Sequence, residues 1–133
     1  MKKHFCLILI AIFTCITFTS CVNGSKAIIQ AEATAANLRC PMDMGAGLTL
    51  VKVEFEGIYV TYYVKGTDEM YFSKELITPE MKNQIVQAMQ VQAQSDSSAK
   101  KFLAALKKEN VGIIYHYFNE SGVMDVVIES RDL

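Results

Sequence analysis

The chain has no tryptophan, only two prolines and two histidines, and its four cysteines include no C-x-x-C pair. The paired spacings that mark zinc sites and dithiol redox motifs are therefore absent. Neither charge sign dominates, since 13 basic residues stand against 14 acidic ones. Nothing forms the basic patch or stripe that tracks a phosphate backbone, so nucleic acid is excluded as an expected partner. The main apolar run covers residues 5–18, which is 14 residues, against the roughly 20 that a spanning helix needs. There is no internal repeat, although two hairpin-like stretches share a shape.

What is present starts with a leader. Lys2, Lys3 and His4 make a positively charged start, the apolar run follows, and Thr19 and Ser20 lead into Cys21. That is the layout of a secretory signal peptide over residues 1–20. Phe18-Thr19-Ser20-Cys21 resembles a relaxed bacterial lipobox, a bulky apolar residue and two small ones before cysteine. The resemblance implies cleavage before Cys21 and lipidation of its thiol (palmitate or a related acyl chain). Two or more acyl chains, at about 0.8 kcal/mol per buried CH₂, make anchoring stable. An uncleaved N-terminal anchor and cleavage without a lipid stay open as alternatives.

Processing changes the inventory. Cleavage before Cys21 leaves 113 of the 133 residues, enough for one domain with one core. Loss of Lys2 and Lys3 leaves 11 basic residues against 14 acidic ones, a net charge of −3. Cys6 and Cys15 leave with the leader and Cys21 is blocked. Cys40 is then the single thiol, and no internal disulfide can close.

Residues 21–39 are expected to be a lipidated tether. Its Ala-rich part leaves a short helix and a disordered stalk both open. Pro41 disfavours helix at Cys40, and Met42 to Gly47 reads as a turn. From Leu48 the apolar period switches to two. Thr49, Val51, Val53 and Phe55 fall on one face, with Leu50, Lys52, Glu54 and Glu56 on the other. Glu56-Gly57 turns the chain. Ile58, Val60, Tyr62 and Val64 return on one face, with Tyr59, Thr61, Tyr63 and Lys65 on the other. Thr78-Pro79 is a helix start, a capping hydroxyl followed by proline at the first helical position. Met81, Ile85 and Met89 then form an apolar stripe. Residues 94–98 break this helix. A second one runs over about 99–109 with Ala99, Phe102, Leu103 and Leu106 inward, and Asn110 stops it. Val111, Ile113, Tyr115 and Tyr117 alternate with Gly112, Ile114, His116 and Phe118. Asn119 to Gly122 turns, and Val123 to Ile128 returns, followed by a polar tail expected to fray. The expected fold is α+β: an antiparallel sheet of two β-hairpins (about 48–65 and 111–128), with a helical hairpin (about 78–109) packed on one face. Residues 40–133 form the single domain.

No connected catalytic set is visible, which leans against an enzyme, and no cofactor is expected. Cys40 is the candidate thiol. It reads either as a small buried hydrophobe or as a redox, intermolecular-disulfide or soft-metal group, with Met42, Met44 and His116 as weak further ligands. No metal is expected. His116 reads as a structural strand histidine, since no motif places an acid or nucleophile beside it. Gly45-Ala46-Gly47 is a turn rather than a phosphate loop. Tyr59, Tyr63, Tyr71 and Phe72 are the candidate binding surface, with core packing as the alternative.

Cys40-Pro-Met-Asp-Met-Gly45, the run from Gly57 to Tyr63, and Asn110-Val-Gly-Ile-Ile-Tyr115 resemble a group of small secreted lipoproteins from Bacteroides-type gut bacteria. The resemblance spans nearly the whole mature chain. It carries no assigned activity and no catalytic residues. It implies a cell-envelope location. The stretch after Cys21 lacks the acidic run that resembles a surface-export signal, so the periplasmic side of the outer membrane is expected. The function expected is that of a non-enzymatic binding or accessory domain, held to the membrane by Cys21. Its partner would be an envelope protein, a peptide or a carbohydrate. The alternative is a thiol-dependent role of Cys40.

Overall fold

A computed structural model describes residues 24–133. The leader and Cys21, with the expectations of cleavage and lipidation, lie outside the described residues.

Helix α1 spans Ser25–Leu38. Strands β1 (Met42–Gly45), β2 (Leu48–Glu56) and β3 (Tyr59–Lys65) follow, then a 3-10 turn at Lys74–Leu76. Helices α2 (Pro79–Ser95) and α3 (Ser97–Glu109) lead to β4 (Gly112–Phe118), β5 (Val123–Ile128) and a last 3-10 turn at Ser130–Asp132. The sequence signals set the helix ends. The Thr78 hydroxyl accepts from the Met81 N–H at 3.1 Å, and Pro79 opens α2. Asp96 caps α3 by accepting from the Ser98 N–H at 2.9 Å. Asn110 closes α3 in the left-handed conformation, φ 56° and ψ 42°, which Asn tolerates better than most side chains.

The five strands form one sheet in the order β1-β2-β3-β4-β5. Three of the pairings are antiparallel, but β3 and β4 are parallel. The wholly antiparallel sheet expected from the sequence is thus corrected to a mixed one. A parallel pair needs a long crossover, and α2 with α3 supplies it. The two hairpins meet along β3 and β4.

Two further differences have local causes. Residues 42–45, expected in a turn, form the short edge strand β1, with Met42 opposite Leu50 and Asp43 opposite Thr49. In β2 the register shifts between Leu50 and Lys52. This bulge inserts Val51 and reverses the alternation. Leu48, Leu50 and Val53 are therefore buried, with Phe55 packed against the core, whereas strict alternation had put Leu50 opposite Val53.

One face of the sheet carries the core. Leu50 and Val53, Val60, Tyr62 and Val64, Ile113, Tyr115 and Tyr117, and Met124, Val126 and Ile128 are all buried there. The segment expected as a tether is a packed element. Helix α1 lies on β2 and α3, burying Ile29, Ala33 and Ala36. Small alanines let it approach closely, so burial exceeds what its modest hydropathy suggests. The Asn37 side-chain oxygen accepts from the Val53 N–H at 3.2 Å and ties its end to β2. Helix α2 packs on α3 and β5. The tail does not fray: Leu133 is buried, and its carbonyl accepts from the Gln90 amide at 3.0 Å. No helix among the described residues is long and apolar enough to cross a membrane.

Candidate functional site

Among the described residues the helices lie on one side, and the other face of the sheet is left open. Paired register positions share a face, so the strand pairings place its side chains in rows. One row runs Lys52, Tyr63, His116, Asp125 across β2, β3, β4 and β5. The next runs Glu54, Thr61, Ile114, Val127, and a third runs Thr49, Lys65, Phe118, Val123. Every one of these residues is at least partly exposed.

The first row is connected throughout. The Lys52 Nζ lies 2.7 Å from the Glu54 Oε2 and 4.8 Å from the Tyr63 ring centroid. Tyr63 meets His116 edge-on at 5.4 Å between centroids, and His116 stacks on Phe118 at 5.6 Å. The His116 Nδ1 is hydrogen-bonded to the Asp125 Oδ1 across β4 and β5. A carboxylate only accepts, so Nδ1 carries the hydrogen and the bond ties the ring to β5. The hydrogen bond from Lys52, together with its positive charge, holds the Glu54 carboxyl below its ordinary range, and the same bond raises Lys52. The row thus presents a cation at one end, aromatic rings in the middle and a carboxylate at the other end.

The sequence candidates distribute unevenly over this geometry. Tyr63 sits at the centre of the open face. Tyr59 lies at its end, where the phenol donates to the Glu129 Oε1 at 2.5 Å; that bond raises the phenol's pKa. Tyr71 is 57% exposed in the loop after β3. Phe72 is a core residue, 5% exposed, and packs on Tyr117 at 5.8 Å, so it leaves the surface set. His116 has an acid partner that no motif announced, because Asp125 reaches it only through the hairpin register. Phe118 and Ile114 belong to the same face and were missed as site residues; their place in the alternation opposite Ile113, Tyr115 and Tyr117 was the available signal.

Cys40, Met42 and Met44 pack against the core. His116 projects from the other side of the sheet, and its strand β4 is three strands from β1, which carries Met42 and Met44, so these four residues do not converge. The Cys40 thiol donates to the Ala36 carbonyl at 3.3 Å, and burial raises its pKa. A thiol held protonated is a poor nucleophile.

One titratable group lies inside the fold. Glu32 on α1 is 2% exposed, and its Oε2 has no hydrogen-bond partner. Burial pushes its carboxyl up to about 7, Asp96 adds to the rise, and Arg39 partly offsets it. Burial first, then Tyr115 and Glu32 nearby, push the Tyr62 phenol well above its ordinary value. A cavity of about 190 Å³ lies beside Tyr59, Asn110, Glu129 and Arg131. A second, of about 360 Å³, lies between the start of α2 and the end of β5. Neither gathers a nucleophile, a base and an oxyanion donor.

Fold and site together define an α+β domain with a one-sided mixed sheet whose uncovered face is aromatic and charge-polarised. No family model, curated protein or solved structure matches the chain.

Proposed function

We propose that the protein is a lipid-anchored cell-envelope domain that binds a macromolecular partner through the open face of its sheet. The observation that carries this reading is the row Lys52–Tyr63–His116–Asp125 with Phe118 and Ile114 beside it. A sheet of which one side packs the core normally turns an alternating polar side to water. Here Tyr63, Phe118, Ile114 and Val127 stand among the polar groups on that side, held in place by ring contacts and a cross-strand hydrogen bond. Rigid aromatic surface with few rotamers to lose is what binding faces use.

The address rests on the leader. The basic start, the apolar run and the lipobox-like residues before Cys21 support a signal peptide and a diacylglyceryl anchor, with the domain on the periplasmic side of the outer membrane. The resemblance to Bacteroides-type lipoproteins supports the same location. The alternative, a thiol-dependent role of Cys40, is less well supported because the thiol is raised in pKa and turned onto the Ala36 carbonyl.

Photo-crosslinking in the envelope tests the reading. A benzophenone amino acid replaces Tyr63 on the open face or Val91, which is exposed on α2, in the full chain with its anchor. A protein adduct from position 63 and none from position 91 is expected. Adducts from neither position, or from both equally, overturn the reading.

A further inference from the structure

The open face matches itself. The strand directions across β2-β3-β4-β5 run down, up, up, down, because β3 and β4 are parallel while each outer strand is antiparallel to its neighbour. That pattern is unchanged by a twofold axis lying in the face, parallel to the strands, midway between β3 and β4. Such an axis sets β2 over the β5 of another copy and β3 over its β4, with each row facing itself reversed. Within the first row, Lys52 then faces the other copy's Asp125, and Tyr63 faces its His116. In the neighbouring rows Thr61 faces Ile114, and Lys65 faces Phe118, a cation over a ring. An axis along β3 instead would set Lys52 against His116 and lose the opposite-charge match.

We infer that the partner of this face is a second copy of the chain, packed sheet on sheet about that axis. The inference rests on the reading of the open face as a binding surface and names its occupant. Aligned packing of two sheets about 10 Å apart is a common arrangement, and an isologous interface needs the same patch to be self-complementary. Four strands of about seven residues cover roughly 20 by 20 Å, a small interface by the standards of stable dimers. The pairing is therefore weak and reversible in dilute solution. Two anchors in one membrane would strengthen it by raising the effective concentration.

The symmetry supplies a test that a merely structural defect cannot imitate. Two full-length copies with different affinity tags are co-expressed, and capture of one by the other is measured from the membrane. Wild-type copies capture each other. Lys52→Glu in both copies sets acid against acid, and Asp125→Lys in both sets base against base; each weakens capture about tenfold or more. One copy carrying Lys52→Glu and the other carrying Asp125→Lys restores both opposite-charge contacts, and capture recovers. Thr61→Arg, in the middle of the face, abolishes capture with little change in the thermal midpoint. Absence of wild-type capture, or a mixed pair no better than either variant with itself, overturns the inference. If position 63 then crosslinks a different protein, the face binds something other than itself and only the dimer is lost. If position 63 crosslinks nothing, both fail.

Discussion

Glu32 places a carboxyl in the core with one oxygen unpaired, and this gives the domain a built-in response to pH. Its folded value of about 7 stands above the ordinary 4.5. Between those values the folded state holds a proton that the unfolded chain releases, so stability falls as pH rises across that window and levels off above it. Glu32→Gln removes the charge and keeps the shape. The variant should lose this slope and, at pH 8, be more stable than wild type by about 3 kcal/mol. In thermal melts that is a rise on the order of 10 °C; identical pH profiles for the two proteins would refute the assignment. Cys40 belongs at the same scale. Its raised pKa and its bond to Ala36 predict slow alkylation by iodoacetamide at pH 7.5, accelerating once the chain is unfolded in guanidinium. Equal rates in the two states would return the thiol to candidacy. The sequence made Cys40 the single thiol expected after the proposed processing but could not show its partner, because the Ala36 carbonyl approaches only when α1 is helical. The His116–Asp125 pair was hidden for a similar reason, since it depends on a register nine residues around a turn.

Among the elements, those governed by local chemistry were legible. Thr78-Pro79 started α2, Asn110 stopped α3, Glu56-Gly57 turned the first hairpin, and the stripe of Met81, Ile85 and Met89 is buried as its spacing implied. What escaped depends on neighbours distant in sequence. The parallel pairing of β3 with β4 is a long-range contact that periodicity does not encode. The bulge at Val51 reverses a two-residue alternation without changing composition, so Leu48 and Leu50 turned inward unannounced. Helix α1 looked like a stalk because alanines score as weakly apolar, yet they suit a close helix approach. Edge strand β1 is four residues long and lies in a stretch whose glycines suggested only a turn. The junction of β3, β4 and β5 also makes a prediction. A Cβ added at Gly112 would lie 2.6 Å from the Ile128 carbonyl oxygen and 2.9 Å from the Tyr59 ring. Backbone on one side and a hydrogen-bonded phenol on the other leave little room to yield. Gly112→Ala should cost about 2 kcal/mol, read as a lower urea midpoint with an unchanged slope; an unchanged midpoint would mean the junction relaxes freely.

At the scale of the whole molecule, the sheet is one-sided. Three helices and a tail cover one side of the sheet, and the proposed binding role depends on what meets the other side. His116 reports on that side directly, since it is the one imidazole among the described residues and lies at the centre of the open face. Diethyl pyrocarbonate labelling, read peptide by peptide, compares the anchored protein in isolated envelopes with the same protein extracted and diluted. Lys101, exposed on the outer surface of α3, serves as the internal control. The account predicts that His116 is protected in the envelope and becomes reactive on dilution, while Lys101 reacts equally in both. Equal labelling of His116 in the two states would contradict it, because the open face would then meet only water.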